Sequence, residues 1–197
     1  MATHEPLYGL VLAGGRSQRM GHDKALLRVE GETQLARAVR LLESFVDRVF
    51  VSTRRDQQDE PERCTFRQIV DRYEDLGPVA GILSAMEEHP GACWLVLACD
   101  LPNIDELTIR QLIAGRSSGH PFTAYRSSND GLPEPLCALY AAGALAIVRT
   151  FVDAGVICPR QILVRSDTHL LDQPRPDALD NINTPEDLAR VGLKAAS

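Results

Sequence analysis

The period of the apolar positions changes repeatedly along the chain, and each change marks an element. Residues 7–13 (LYGLVLA) are a short apolar run ending at Gly14-Gly15, the pattern of a buried strand entering a tight turn. Between 33 and 45, Leu35, Ala38, Val39, Leu41, Leu42 and Phe45 recur at helical spacing and predict an amphipathic helix. Residues 48–52 (RVFVS) are β-branched and aromatic and predict a second strand, with 66–70 a weaker third. Gly77-Pro78 is a breaker before a helix over 79–88, which carries Ala80, Leu83 and Met86 on one side. Cys93–Ala98 (CWLVLA) is apolar at nearly every position, as central parallel strands covered on both faces are. The pattern then predicts a helix over 105–114, strands over 122–125 and 135–140, an Ala-rich helix over 142–154 and a short strand over 168–171. Thr184 as N-cap and Pro185 at the first helical position start a last helix, running to about residue 191. The polar stretches 54–62, 115–119 and 127–132 predict surface loops, none long enough to be a domain linker.

Helices set between apolar strands imply an α/β fold: an open, mostly parallel sheet with helices on both faces. The 197 residues fit a single domain, 1–197, with length enough for a sizeable core. Ligands of such sheets bind beyond the carboxyl ends of the strands.

Two of those ends carry chemistry. After the first strand comes Gly14-Gly15-Arg16-Ser17-Gln18-Arg19-Met20-Gly21-His22-Asp23-Lys24. The glycine pair lets the backbone turn sharply and bring its N–H groups to an anion. Arg16, Arg19 and Lys24 follow within one short stretch, which suits a triphosphate. Neither a Walker A loop nor a dinucleotide GxGxxG is present. After the strongest strand comes Cys99-Asp100-Leu101-Pro102. An Asp there is placed to hold a divalent cation, since Mg²⁺ is commonly bound by one or two carboxylates plus substrate phosphates.

Composition narrows the function classes. Aromatic residues make up 5% of the chain, too few for stacking platforms along single-stranded nucleic acid. The net charge of −6 disfavours general binding to a phosphate backbone. The first 28 residues are nonetheless net positive, with Arg16, Arg19, Lys24 and Arg28 against Glu5 and Asp23, so the acidic average hides a local basic patch suited to one nucleotide. The 5 cysteines are odd in number and lack CxxC spacing, which indicates neither a disulfide framework nor a zinc site. Three lie in apolar stretches and read as small buried hydrophobes. His4, His89, His120 and His169 are scattered and form no ligand spacing, and His22 reads as an exposed residue of the loop after the glycine pair. No basic n-region precedes an apolar h-region, and no apolar run reaches the ~20 residues that span a bilayer. A cytoplasmic location is expected.

The string LAGGRSQRMGHDK, from Leu12 to Lys24, matches LAGGxSxRMGxDK and resembles the molybdenum cofactor guanylyltransferases, the MobA-like nucleotidyltransferases. Four further segments follow in the family's order: Asp71 leading to Gly77-Pro78-Val79-Ala80-Gly81, Asp100-Leu101-Pro102, Pro135-Leu136-Cys137-Ala138-Leu139-Tyr140, and Asn181-Ile182-Asn183-Thr184-Pro185-Glu186-Asp187-Leu188. The resemblance implies a Rossmann-like fold of the nucleotide-diphospho-sugar transferase kind. It also implies transfer of GMP from GTP to the terminal phosphate of molybdopterin, with or without molybdenum, giving molybdopterin guanine dinucleotide and pyrophosphate. Leu12, Ala13, Gly14 and Gly15 would contact the nucleotide, and Arg19 and Lys24 would stabilise triphosphate charge. Ser52 and Asp71 would lie near the base, Asp71 accepting from the guanine N–H edge. Asp100 would hold Mg²⁺, and Asn181 and Asn183 would face the pterin, Asn183 also completing the metal shell. Arg160 and Arg165 are candidates for the acceptor phosphate. The implied partners are GTP and the molybdenum cofactor, with a molybdoenzyme or delivery chaperone receiving the product, and neither nucleic acid nor membrane.

Related cytidylyltransferases read LAAG at the first motif, so Gly15, with Gly81, favours GTP over CTP. The segment 159–180 matches less well and includes the region expected to approach the pterin. Two alternatives stand beside the main reading. One is a cytidylyltransferase or a transferase using another phosphorylated acceptor. The other is a non-catalytic protein that delivers cofactor, against which Lys24, Asp71 and Asp100 argue.

Overall fold

The apolar run Cys93–Ala98 is the axis of the structure, a computed structural model that describes residues 5–14, 23–29 and 31–181. In chain order the elements are β1 (Leu7–Leu12), β2 (Arg28–Val29), β3 (Glu32–Thr33), α1 (Gln34–Glu43), β4 (Arg48–Thr53), β5 (Gln68–Val70), α2 (Pro78–Glu88), β6 (Cys93–Ala98), α3 (Glu106–Ala114), β7 (Phe122–Arg126), β8 (Pro133–Tyr140), α4 (Ala144–Asp153), α5 (Pro159–Val164) and β9 (Thr168–Leu171). A 7-stranded sheet has the order β5-β4-β1-β6-β8-β7-β9, and β2 pairs with β3 in a separate hairpin. All strands of the large sheet run in one direction except β8, which is antiparallel to both β6 and β7. The expected mostly parallel sheet is therefore present, with one reversed strand inside it.

Strand alternation sorts the core into two layers. Val11, Val51, Leu95 and Leu97 face one cluster, which packs on α1 and α3. Leu10, Phe50, Trp94 and Val96 face the other, which packs on α2, α4 and α5. Every residue of β6 is buried because helices cover both its faces. Cys93, Cys99 and Cys137 are buried as expected, while Cys64 and Cys158 are exposed. Among the described residues, no helix is long and apolar enough to cross a membrane.

Capping fixes the helix starts on the ligand side of the sheet. Thr33 Oγ1 accepts from the Ala36 amide at 3.0 Å, so α1 begins at Gln34. Asp105 caps α3 through the Thr108 amide at 2.9 Å. Gly77 precedes α2 with φ 57°, a conformation that favours glycine, and Pro78 takes the first helical turn.

The structure adds the β2–β3 hairpin to the sequence reading and corrects it at residues 159–164 and 54–62. Residues 159–164 form α5, which was not expected; Pro159 starts it and buried Ile162 and Leu163 anchor it. The segment 54–62 is not a merely solvated loop. It winds through the 3₁₀ turn Arg55–Gln57, leads into a second at Arg63–Thr65, and turns Arg54 and Glu60 inward. The helix expected from Thr184 lies outside the described residues.

Candidate active site

Register alone gathers the site. Leu12 pairs with Ser52 on one side and Ala98 on the other, and Ser52 pairs in turn with Ile69. Gly14, Asp71 and Asp100 therefore each lie two residues past matched positions on neighbouring strands. The ladders continue beyond the strands: the Ala13 amide donates to Ser52 O at 3.2 Å, Cys99 to Leu12 O at 3.4 Å and Asp71 to Thr53 O at 2.8 Å. A cavity of about 890 Å³ opens at these ends, bordered by Leu12, Ala13, Gly14, Lys24, Asp71 and Asp100. Ser52, itself buried, also reaches its wall.

Lys24 borders one end of the cavity, beside Asp100. Its Nζ lies 3.4 Å from Asp100 Oδ2, and both side chains are about one quarter exposed (21% and 24%). A short 3₁₀ turn, Lys24–Leu26, carries Lys24. Asp23 caps it, with Oδ1 accepting from the Ala25 amide at 3.1 Å. Asp100 projects one residue past buried Cys99, at a turn held by Arg37 of α1, which donates to Pro102 O.

At the other end, Ser52 Oγ donates to Asp71 Oδ1 at 2.8 Å. Burial pushes the Asp71 carboxyl up to about 6, against the opposing pull of the Ser52 hydroxyl and the nearby Arg54 guanidinium. Gly81 has a packing role here. A Cβ on it would lie 2.1 Å from Ser52 Oγ, so α2 crosses β4 too closely for any side chain. Gly81→Ala is expected to destabilise the fold by about 1–3 kcal/mol. Thermal unfolding checks this, and adding Ser52→Ala should recover part of the loss by removing the clashing oxygen.

Three arginines and an asparagine extend or correct the picture. Arg54, directly after β4, donates to Gly14 O at 2.7 Å and holds Asp56 through both Nε and Nη2. Its place at a strand's carboxyl end was the signal that could have found it. Arg63 lies buried beneath the same segment and had no such signal. Arg160 does not reach the cavity's described lining. Its guanidinium is taken by Asp130 and Glu134, each at 2.8 Å, so it has no charge to spare for an acceptor phosphate. Asn181 is exposed and is not among the described lining residues, although the chain before it docks beside the turn that follows Asp100, through Asp177 O and Asn103 Nδ2 at 3.1 Å. Gly15, Arg19 and Asn183 lie outside the described residues. Elsewhere His120 and His169, distant in sequence, bring their ring centroids to 5.3 Å, yet no metal-binding group of three or more His, Cys, Asp or Glu forms among the described residues.

The chain is similar in sequence and in fold to known proteins. A molybdenum cofactor guanylyltransferase of Pseudomonas aeruginosa is 35% identical over 188 residues, covering 91% of this chain and 91% of its own. A molybdenum cofactor biosynthesis bifunctional protein of Synechocystis is 38% identical over 189 residues; it matches 96% of this chain, which spans 54% of that longer protein. The crystal structure of molybdopterin-guanine dinucleotide biosynthesis protein A from Archaeoglobus fulgidus superposes with a TM-score of 0.77 at 24% identity, covering 93% of this chain and 96% of that one. A Mycobacterium tuberculosis protein solved in complex with manganese has the same fold, with a TM-score of 0.64 at 18% identity over 94% of this chain and 97% of its own. The family model for the MobA-like NTP transferase domain matches residues 9–169, from inside β1 to inside β9. That span contains every strand end that borders the cavity, and the chain belongs to the MobA-like NTP transferase family.

Proposed function

We propose that the protein transfers GMP from GTP to the terminal phosphate of molybdopterin, forming molybdopterin guanine dinucleotide and pyrophosphate. The observation that carries this reading is one cavity with a carboxylate for the base at one end and a cation–carboxylate pair for the phosphates at the other. The extensive match to the Pseudomonas aeruginosa guanylyltransferase supports the choice of GTP and of the pterin acceptor. A single domain built on the seven-stranded sheet carries the reaction.

The roles follow from position. The guanine N–H edge donates to Asp71, whose carboxylate Ser52 orients. The backbone at Leu12, Ala13, Gly14 and Gly15 approaches the nucleotide, and Arg54 steadies the Gly14 carbonyl. Lys24 and Arg19 offset negative charge on the triphosphate. An oxygen of the acceptor phosphate attacks the α-phosphorus, and the bond to the bridging α–β oxygen breaks as pyrophosphate leaves. The acceptor oxygen is already ionised, so no side chain must remove a proton from it. Asn181 and Asn183, which follow Asp177 in sequence, are assigned to the pterin.

The donor set fits a magnesium ion held largely by its substrate. Asp100 offers hard carboxylate oxygens to the cavity, and the described residues build no closed protein cage around it. When bound there, Mg²⁺ would neutralise charge on the phosphate oxygens.

Incubation with molybdopterin, Mg²⁺ and either GTP or CTP tests the reading. Dinucleotide and pyrophosphate are expected from GTP alone. Product from CTP alone would make the protein a cytidylyltransferase, and no product from either would leave a transferase of another phosphorylated acceptor or a delivery protein.

A further inference from the structure

Residues 14–22 carry the glycine pair and two arginines, and the residues flanking them, Ala13 and Asp23, are held by one side chain. Arg63 is fully buried in the turn after the polar segment. Its Nη2 donates to Ala13 O at 2.8 Å and to Asp23 Oδ2 at 2.7 Å. Its Nη1 reaches Glu60 Oε2 at 3.3 Å. Glu60 is itself fixed, accepting from the Glu62 and Arg63 amides at 3.1 and 3.0 Å. Asp23 thus works with both oxygens: one receives Arg63, and the other caps the turn that presents Lys24 to Asp100.

A buried arginine among carboxylates contributes little net stability, because desolvation offsets most of the attraction. What its planar fork supplies is fixed geometry. Arg63 is not among the residues lining the cavity, so it acts only through those it holds.

We infer that Arg63 is a positioning residue for nucleotidyl transfer: it clamps both flanks of the glycine-rich segment and so sets Lys24 beside Asp100. The affected reaction rests on the function proposed above; the clamp itself does not.

Two variants test it. Arg63→Lys keeps the charge but replaces the planar fork, whose two terminal nitrogens point to Ala13 and Asp23 on one side and Glu60 on the other, with one compact ammonium. Asp23→Asn keeps the shape and the capping oxygen and turns an NH₂ toward Arg63. In both, hydrogen exchange at the amides of residues 25–27 should quicken by about tenfold or more, while the β6 amides stay protected. The kcat per folded molecule should fall by about tenfold or more, with the KM for GTP changing less than about threefold. The double variant should be no slower than the slower single, since both break one clamp. Equal loss of protection in β6 would make Arg63 a general brace and overturn the inference. So would unchanged exchange at 25–27, an unchanged kcat, or additive effects. A wild-type protein that makes no dinucleotide overturns the proposed function, and the exchange measurement then judges the clamp by itself.

Discussion

Asp100→Asn is expected to lower kcat by about 10³-fold or more while changing stability by less than about half a kcal/mol. The two side chains have the same size and differ in charge. Asp100 is about one quarter exposed, with a side-chain relative accessibility of 24%, and its neighbour Lys24 Nζ stands 3.4 Å away. The fold is carried by the buried strand behind it, so little packing depends on the carboxylate. On the metal-holding role proposed for it, catalysis should depend on it strongly, because an amide oxygen lacks the charge that draws a divalent cation onto the phosphates. Two measurements separate the effects: turnover at saturating GTP, and the thermal midpoint. A further signature follows from the weaker site. Raising Mg²⁺ should recover part of the lost rate in the variant but not in the wild type. Activity within tenfold of wild type at ordinary Mg²⁺ would remove Asp100 from the metal-holding role.

The placement of Asp100 illustrates what the sequence made legible. Cys93–Ala98 was readable to the residue, because an uninterrupted apolar run has few other uses. The site residues were legible for a related reason. Strand ends are visible as the places where apolar runs stop, and parallel register then brings those ends together whatever their separation in sequence. Nothing comparable marks Arg63. It meets Ala13 and Asp23 across 50 and 40 residues, and its own surroundings are polar, so the segment looked solvated. Its burial follows from partners that only the fold supplies. The helix α5 was missed because six residues hold too few apolar positions to display a period. The β2–β3 hairpin, with two residues in each strand, was too short to alternate visibly.

Asp71 sets stability against function, and pH should separate them. Its folded carboxyl titrates at about 6, raised from the ordinary value of 3.8 by burial. Between those values the folded chain holds a proton that the unfolded chain releases. The stabilising contribution of the protonated form is fully present below about pH 4 and is lost as pH rises through 6. Asp71→Asn does not titrate and keeps an oxygen to accept from Ser52. The variant should therefore match the wild type in stability near pH 4 and exceed it by about 1–3 kcal/mol above pH 6, a range that discounts for partial exposure. Recognition runs the opposite way. In the base-reading role proposed for Asp71, only the carboxylate offers two acceptor oxygens to the guanine edge, so wild-type kcat/KM for GTP should fall as pH drops through about 6. Asp71→Asn should lower kcat/KM by about 10²-fold at neutral pH and flatten that limb. Titration of the nucleotide's own phosphates affects both proteins alike, so the ratio of their kcat/KM values isolates Asp71. A ratio constant from pH 5 to 8 would show that Asp71 does not read the base as an anion. A variant no more stable than wild type at pH 7 would show that burying this charge costs the fold nothing.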